Sequence, residues 1–561
     1  MKRRTFMKLA TAGTVAFPNL ILAGCAAGKK YDVLIAGGIV FDGSGGAGKE
    51  ADVAIAGGRI VKIGPKIDRS RAREVIEAKG LAVAPGFIDP HTHTDVQLLA
   101  NPKAESKIRQ GVTTEIGGNC GGSYFPLSDQ AYEEARKNVK KEFGVEVDWR
   151  DINGFFGRLE KSGVALNFAT LLGQGTVREA VLGPYDRPPK PEETERMKAL
   201  IRENMDAGAL GLSSGLQYTP GCFAKQEELT ELCSEVARLG GVYATHMRSE
   251  EDKVLEAVEE TLATARASKV NLQISHIKAN YPRNWAKIDG MIAAIDQAAK
   301  EGIRVTADRY PYIAFSTGLS YYFPEWAREG TAGDFVSRLR DASLQVKIRA
   351  QVKGEEEKLG SWDRVLLSSI LSEKNRALEG STVLAAAAAQ KKHPYEFMRD
   401  LLIEEEGIVG MVGFGMCEEN LKKFYAHPLV TVGSDGNAVA PYGVLGRGKP
   451  HPRYYGTFPR YLGRYVLDQK VLPVEEAIRR ITSFTAEKFG LSGRGKLAEG
   501  YFADVTVFDI NRIMDGATFE KPHQYPDGVV HVLVNGRVVV RNGEHTGELP
   551  GKILKRETRK G

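Results

Sequence analysis

Cysteine is scarce in this chain. Five are spread over 561 residues, Cys25, Cys120, Cys222, Cys233 and Cys417, and so sparse and odd a set builds no disulfide framework. Long apolar runs are missing too, which excludes a multi-span membrane protein. Net charge is small where it would count. The chain totals +6, and its first 30 residues hold six bases and no acid, so residues 31–561 are balanced. No broad basic field exists to attract nucleic acid. Short repeats and low-complexity tracts are absent, which argues against solenoids, coiled coils and disorder. What remains is ordinary for a globular protein, with 42% hydrophobic and 26% charged residues. Gly is plentiful at 62, as suits a fold of many tight loops. The length accommodates one large barrel and a smaller module.

The first thirty residues read as an address. Lys2-Arg3-Arg4-Thr5-Phe6-Met7-Lys8 precedes an apolar stretch from Leu9 to Ala23, broken by Pro18. That stretch is short for a membrane span and right for a signal peptide. Arg3-Arg4 with Phe6 and Lys8 resembles a twin-arginine export signal. Leu22-Ala23-Gly24-Cys25 resembles a bacterial lipobox, with Cys25 the lipidated first residue of the mature chain. The reading is an export signal over 1–24 and a lipid-anchored linker over 25–30. The protein is then an exported lipoprotein, anchored to a membrane on the periplasmic side. An uncleaved anchor helix with an incidental Cys is the simpler alternative.

Residues 31–64 alternate like a half-buried antiparallel sheet, with Gly37-Gly38 and Gly57-Gly58 at the turns. Ala503–Phe508 and Val529–Val540 repeat that style, and Asn535-Gly536 is a strong hairpin signal. The two ends, 31–82 and 486–550, are expected to build one small β-sandwich domain. Between them eight strand-like runs alternate with amphipathic segments: Val83–Asp89, Val112–Ile116, Leu166–Leu171, Ala209–Ser213, Val242–His246, Leu272–His276, Val305–Asp308 and Leu429–Asp435. That alternation and count predict an α/β fold, a TIM-like (β/α)8 barrel over 83–485. One gap, about 313–425, is too long for a connection and reads as an insertion before the last barrel strand, a candidate lid.

Chemistry gathers at the strand ends. The first strand ends Asp89-Pro90-His91-Thr92-His93, the fifth at His246, the sixth at His276, and the eighth in Gly433-Ser434-Asp435-Gly436. Cys120 follows the second strand in Gly118-Asn119-Cys120-Gly121-Gly122, and Tyr218 follows the fourth. Four of the ten histidines thus fall on one rim, where barrels of this kind carry catalysis. In extended chain His91 and His93 point the same way, so both can reach one ion. Imidazole with thiolate suits zinc better than magnesium or calcium. Cys120 could be a small buried hydrophobe; its flanking glycines and the nearby histidines favour a thiolate ligand. Cys222, Cys233 and Cys417 lack such company and read as structural. Asp435 could cap the segment that follows it; beside a metal-activated water it is a general base. Asp308, in Ala307-Asp308-Arg309-Tyr310, reads as support for the rim.

These residues resemble the amidohydrolase superfamily, and within it the D-aminoacylases, the N-acyl-D-amino-acid deacylases. The matching motifs are Pro85-Gly86-Phe87-Ile88-Asp89-Pro90-His91-Thr92-His93, Gly118-Asn119-Cys120-Gly121, Ala244–Glu250, Ser275-His276-Ile277-Lys278, Gly433-Ser434-Asp435-Gly436 and His451–Arg460. The resemblance runs from about Tyr31 to about Gly551. It implies a tight zinc site at Cys120, His246 and His276. It also implies a second, weaker site at His91, His93 and Asp435, with Cys120 able to bridge. Asp435 is then the catalytic acid/base, and Tyr218, Lys278 and Arg453 hold the substrate's α-carboxylate. Without the resemblance, Lys278 and Arg453 read as ordinary ion-pair residues. The implied reaction is zinc-dependent hydrolysis of an N-acyl-D-amino acid to a carboxylate and a free D-amino acid. The alternatives are a hydrolase of D-residue-containing dipeptides or peptidoglycan fragments, and a lipid-anchored binding protein on an inactive barrel. Strand four leads into Gly215-Leu216-Gln217-Tyr218 with no Lys to bridge two metals, which counts against hydantoinase-like readings. The stretch from Asp435 to His451, with Tyr442–Arg447, departs from the soluble D-aminoacylase pattern and leaves the substrate side chain open.

Overall fold

The computed structural model describes residues 29–557. The expected export signal at 1–24 and the expected lipidation site Cys25 lie outside the described residues. Among the described residues no helix is long and apolar enough to cross a membrane.

The two chain ends share one nine-stranded sheet. Tyr31–Val40 pairs antiparallel with Lys49–Ala56 and parallel with Ala72–Glu77. Ala82–Pro85 pairs with Val505–Phe508 and so ties one end to the other. Val529–Val534 turns back into Arg537–Arg541 through Asn535-Gly536, whose φ angles of 48° and 79° are the positive values a two-residue hairpin turn requires. Alternate side chains of these strands enter one core, where Val33, Ile35, Val53 and Ile55 meet Val505, Val507 and Leu533.

Parallel strands carry the middle of the chain. Phe87–Asp89, Val112–Gly117 and Asn167–Thr170 form one sheet. Leu172–Gly173, Gly211–Gly215, Val242–His246, Asn271–Ile274, Val305–Arg309 and Val430–Val432 form a second, adjacent in that order. Helices Pro191–Ala207, Gln226–Arg238, Val254–Ser268 and Ile288–Lys300 return the chain between strands of the second sheet. Parallel pairing demands such crossovers, and they cover the sheet. The strand expected over Val83–Asp89 is two strands in two different sheets. Gly86 divides them, packed so closely that a Cβ there would lie 2.1 Å from Thr113 Oγ1. The last expected strand, Leu429–Asp435, is regular only over Val430–Val432, and the rest turns into the site.

The segment expected as an insertion has a core of its own. Ala314–Gly318, Val409–Phe414 and Val365–Ile370 pair as a three-stranded antiparallel sheet. Helices Ala332–Arg340, Gln345–Leu359, Val383–Ala389 and Pro394–Glu404 accompany it, and Phe323, Phe335, Trp362, Tyr395 and Met398 pack between them.

A fully buried ion cluster sits beneath the first strands. Lys107, on the helical turn Glu105–Ile108, reaches Asp89 Oδ2 at 2.9 Å and Glu115 Oε1 at 3.1 Å, and donates to Ser434 Oγ at 2.6 Å. Asp89 Oδ1 accepts from the Ser434 amide at 2.9 Å. One ammonium thus pins the loops that carry His91 and Asp435. Burial pushes the Glu115 carboxyl up to about 7, Lys107 opposing and Asp89 assisting.

Lys107→Met leaves two buried carboxylates without a counter-charge, and chemical denaturation should show a loss of about 3–5 kcal/mol. Glu115 binds its proton more tightly folded than unfolded, so its contribution is present below about pH 4.5 and is lost as pH rises toward 7. The stability of the protein should therefore fall relative to Glu115→Gln across that window, by at most about 1.4 kcal/mol per pH unit. Parallel curves for the two proteins would refute the assignment.

Candidate functional site

Cys120 lies in the turn after Val112–Gly117. Its φ of 51° is left-handed, and so are those of His276 at 35° and Asp435 at 49°. Backbone strain of this sort collects where function over-determines geometry. The glycines around Cys120 are there for space: a Cβ on Gly118 would sit 2.0 Å from Leu171 O, and one on Gly121 would sit 2.6 Å from Gly215 N.

The Cys120 sulfur faces three imidazoles. Sγ lies 3.4 Å from His91 Nε2, 3.4 Å from His276 Nε2 and 3.9 Å from His246 Nδ1. Around a tetrahedral zinc, thiolate sulfur and imidazole nitrogen stand about 3.5 Å apart, so these donors fit that ion. Asp435 Oδ1 stands 3.6 Å from His91 Nε2 and 3.1 Å from His93 Nε2. His91, Cys120, His276 and Asp435 offer ligand atoms within 4.8 Å of one another, and so do His246, Glu250 and His276. The six residues expected to bind metal are therefore together, though His91 sits closer to the sulfur than His246 does. His93 is the most open of them, with its side chain 36% exposed.

A second layer aims the rings. Glu250 Oε1 lies 3.0 Å from His276 Nδ1, Gln217 Oε1 lies 2.7 Å from His246 Nε2, and Asp308 Oδ1 lies 3.4 Å from His91 Nδ1. Each contact engages the nitrogen that does not face the sulfur, and so sets which nitrogen is offered to a metal. Asp308 also accepts from the His276 amide at 2.8 Å. Asp308 thus sits where rim support was expected. The sequence alone gives Glu250 and Gln217 no role: Glu250 only closes the Ala244–Glu250 motif, just past a strand-end His, and Gln217 only follows the fourth strand.

Tyr218, Lys278 and Arg453 line the same cavity, of about 810 Å³. Lys278 bonds Glu250 and lies 2.8 Å from His276 Nδ1. Arg453 Nη1 lies 3.0 Å from Asp435 Oδ2, and its buried Nε has no hydrogen-bond partner. The Tyr218 ring packs 4.9 Å from that of His246, and its hydroxyl accepts from Thr317 Oγ1 at 3.3 Å. Burial opposes ionisation of Asp435, but Arg453 and the imidazoles hold its carboxyl well below the ordinary range. Burial likewise opposes the Cys120 thiolate, and His91 and His276 overcome it.

The amidohydrolase family profile matches residues 74–540. A D-aminoacylase of Alcaligenes xylosoxydans xylosoxydans is 35% identical over 532 residues, covering 94% of this chain and 98% of that one. An N-acyl-D-glutamate deacylase of the same organism is 34% identical over 529 residues, covering 94% and 97%. The crystal structure of N-acyl-D-glutamate deacylase from Bordetella bronchiseptica, complexed with zinc and a phosphonate inhibitor, matches with a TM-score of 0.80 at 31% identity, covering 94% of this chain and 100% of that one. The chain belongs to the amidohydrolase family. As an amidohydrolase it is similar over 94% of its length to these D-aminoacylase and deacylase relatives. Cys120 stands among the imidazoles, and the turn after Gly211–Gly215 holds Gln217 and Tyr218 and no lysine.

Glu250→Gln removes the charge behind His276 while keeping the shape. It should weaken zinc binding about 10–100-fold in competition with a chelator. An unchanged affinity would show that Glu250 does not tune the metal site.

Proposed function

We propose that this protein hydrolyses the linear amide of N-acyl-D-amino acids with zinc. The observation that carries the reading is the Cys120 sulfur set among three imidazoles and beside Asp435, in a cavity that also presents Arg453 and Lys278. The zinc-containing structural relative supports it. Cys120, His246 and His276 would hold the tighter ion, and His91, His93 and Asp435 a weaker second. Zinc there supplies a Lewis acid that polarises the amide carbonyl and acidifies a water. Asp435 takes a proton from the attacking water and returns it to the departing nitrogen. Arg453 keeps Asp435 ionised for the first of these transfers. Arg453, Lys278 and Tyr218 hold the α-carboxylate, and that anchor fixes the hand of the substrate.

The proposal includes the architecture. Asn167–Thr170 and Leu172–Gly173 run on through Leu171, so the two sheets share that strand, and the parallel bridge between Thr92 and Gly436 joins their other edges, which supports one closed barrel of eight strands. Strands from both chain ends fill one core, which supports a β-sandwich. It includes the address as well: the twin-arginine signal and the lipobox support an exported, membrane-anchored lipoprotein. A full set of ligands and a paired base argue against an inactive binding protein.

The zinc-loaded protein should release free D-amino acids from N-acetyl-D-amino acids and leave the L-enantiomers intact. Release from D-containing dipeptides alone would move the substrate to cell-wall fragments. Asp435→Asn should lower kcat about 10²–10⁴-fold while elemental analysis still finds zinc. Activity within tenfold of the parent would remove Asp435 from the proton transfers.

A further inference from the structure

Overall similarity does not choose the substrate's side chain, because relatives named for different substrates match this chain almost equally. The charges of the cavity differ in kind from that similarity. Among the described residues its wall carries the carboxylates of Asp95, Glu142, Glu250, Glu379 and Asp435, and the cations Lys278, Arg447 and Arg453. Two pairs cancel: Lys278 with Glu250, and Arg453 with Asp435. Asp95, Glu142 and Glu379 remain, none in an ion pair; His93 stands near Asp95, Arg376 and Lys449 stand near Glu379, and Arg447 is on the exposed part of its loop. Glu142 and Phe143 also form the C-terminal end of helix Asp129–Phe143.

One apolar part of the wall comes from the stretch that departs from the soluble family pattern; Phe315, Ile370, Leu371, Ile408 and Val409 supply another. Val444 and Leu445 pack with Phe143 and Val439 in one hydrophobic cluster, and all four line the cavity. The stretch is anchored by Tyr442, whose hydroxyl donates to Glu105 Oε1 at 2.9 Å. A substrate held by its α-carboxylate uses Lys278 and Arg453. A second carboxylate on the same substrate would then meet acids held in no ion pair, Glu142 foremost, and apolar side chains, a combination that rejects anions.

We infer that the substrate's D-side chain is uncharged and apolar, aliphatic or aromatic, and that the 439–447 stretch with Glu142 and Phe143 selects it against D-glutamate and D-aspartate. This rests on the deacylase reading above and deepens it.

The test compares kcat/KM of the zinc-loaded enzyme on N-acetyl-D-leucine and N-acetyl-D-phenylalanine with that on N-acetyl-D-glutamate and N-acetyl-D-aspartate. A preference of about 100-fold or more for the apolar pair is expected. Equal or better turnover of the acidic pair overturns this inference and leaves the deacylase reading standing. Turnover of none of the four overturns both. The double variant Glu142→Gln, Glu379→Gln should narrow the leucine-to-glutamate ratio about tenfold, since it removes two like charges from the wall. A ratio that does not move overturns the assignment of selectivity to these acids.

Discussion

A cysteine sulfur surrounded by imidazoles governs the design of this molecule. Cys120 is half-buried, and a thiolate there is costly unless positive charge stands against it. The imidazoles that meet that need come from turns as far apart in sequence as His91 and His276, and Asp435 joins them from farther still, so the fold must bring distant strand ends to one place. The parallel sheets do this by register. Gly215 is paired with His246 across adjacent strands, and the turns that follow them put Gln217 against the His246 ring. The left-handed backbone at Cys120, His276 and Asp435 is the local cost of turning donors inward immediately after a strand. The Lys107 cluster holds the two loops that close the arrangement, because Asp89 accepts from Ser434 while Lys107 binds both.

Much of this could be read from the sequence because each donor sits at the end of a strand-like run. His91, His93, His246, His276 and Asp435 announce themselves by where alternation or an apolar run stops, and Cys120 by its glycines. What could not be read has a common cause: it depends on contacts between segments far apart in the chain. The second layer is one example. Glu250 is one acid among 71 Asp and Glu, and only the fold shows that it backs His276 and holds Lys278. The insertion is another. Its strand Val365–Ile370 pairs with Val409–Phe414, and that with Ala314–Gly318, so no hairpin signal marks the sheet. Gly86 is a third, since the collision that divides Val83–Asp89 is with Thr113 on a neighbouring strand.

The ion pair between Arg453 and Asp435 joins binding to chemistry in the proposed reaction. A general base near a metal is useful only while it is ionised, and burial alone would protonate Asp435. Arg453 prevents that with one corner of its guanidinium, Nη1 at 3.0 Å. The group has five N–H donors, and the residue also lines the cavity. One residue can therefore hold the base charged and receive the substrate's α-carboxylate at the same time. Lys278 has a matching position: it bonds Glu250, which backs His276, and its ammonium lines the cavity. Both residues that would grip the substrate are thus one contact from the groups that would carry out the hydrolysis. A substrate lacking the α-carboxylate would leave both cations paired only with protein acids and would lose the orientation of its amide against Asp435. On this geometry the α-carboxylate is part of what makes the amide reactive, and recognition and catalysis share the same few charges.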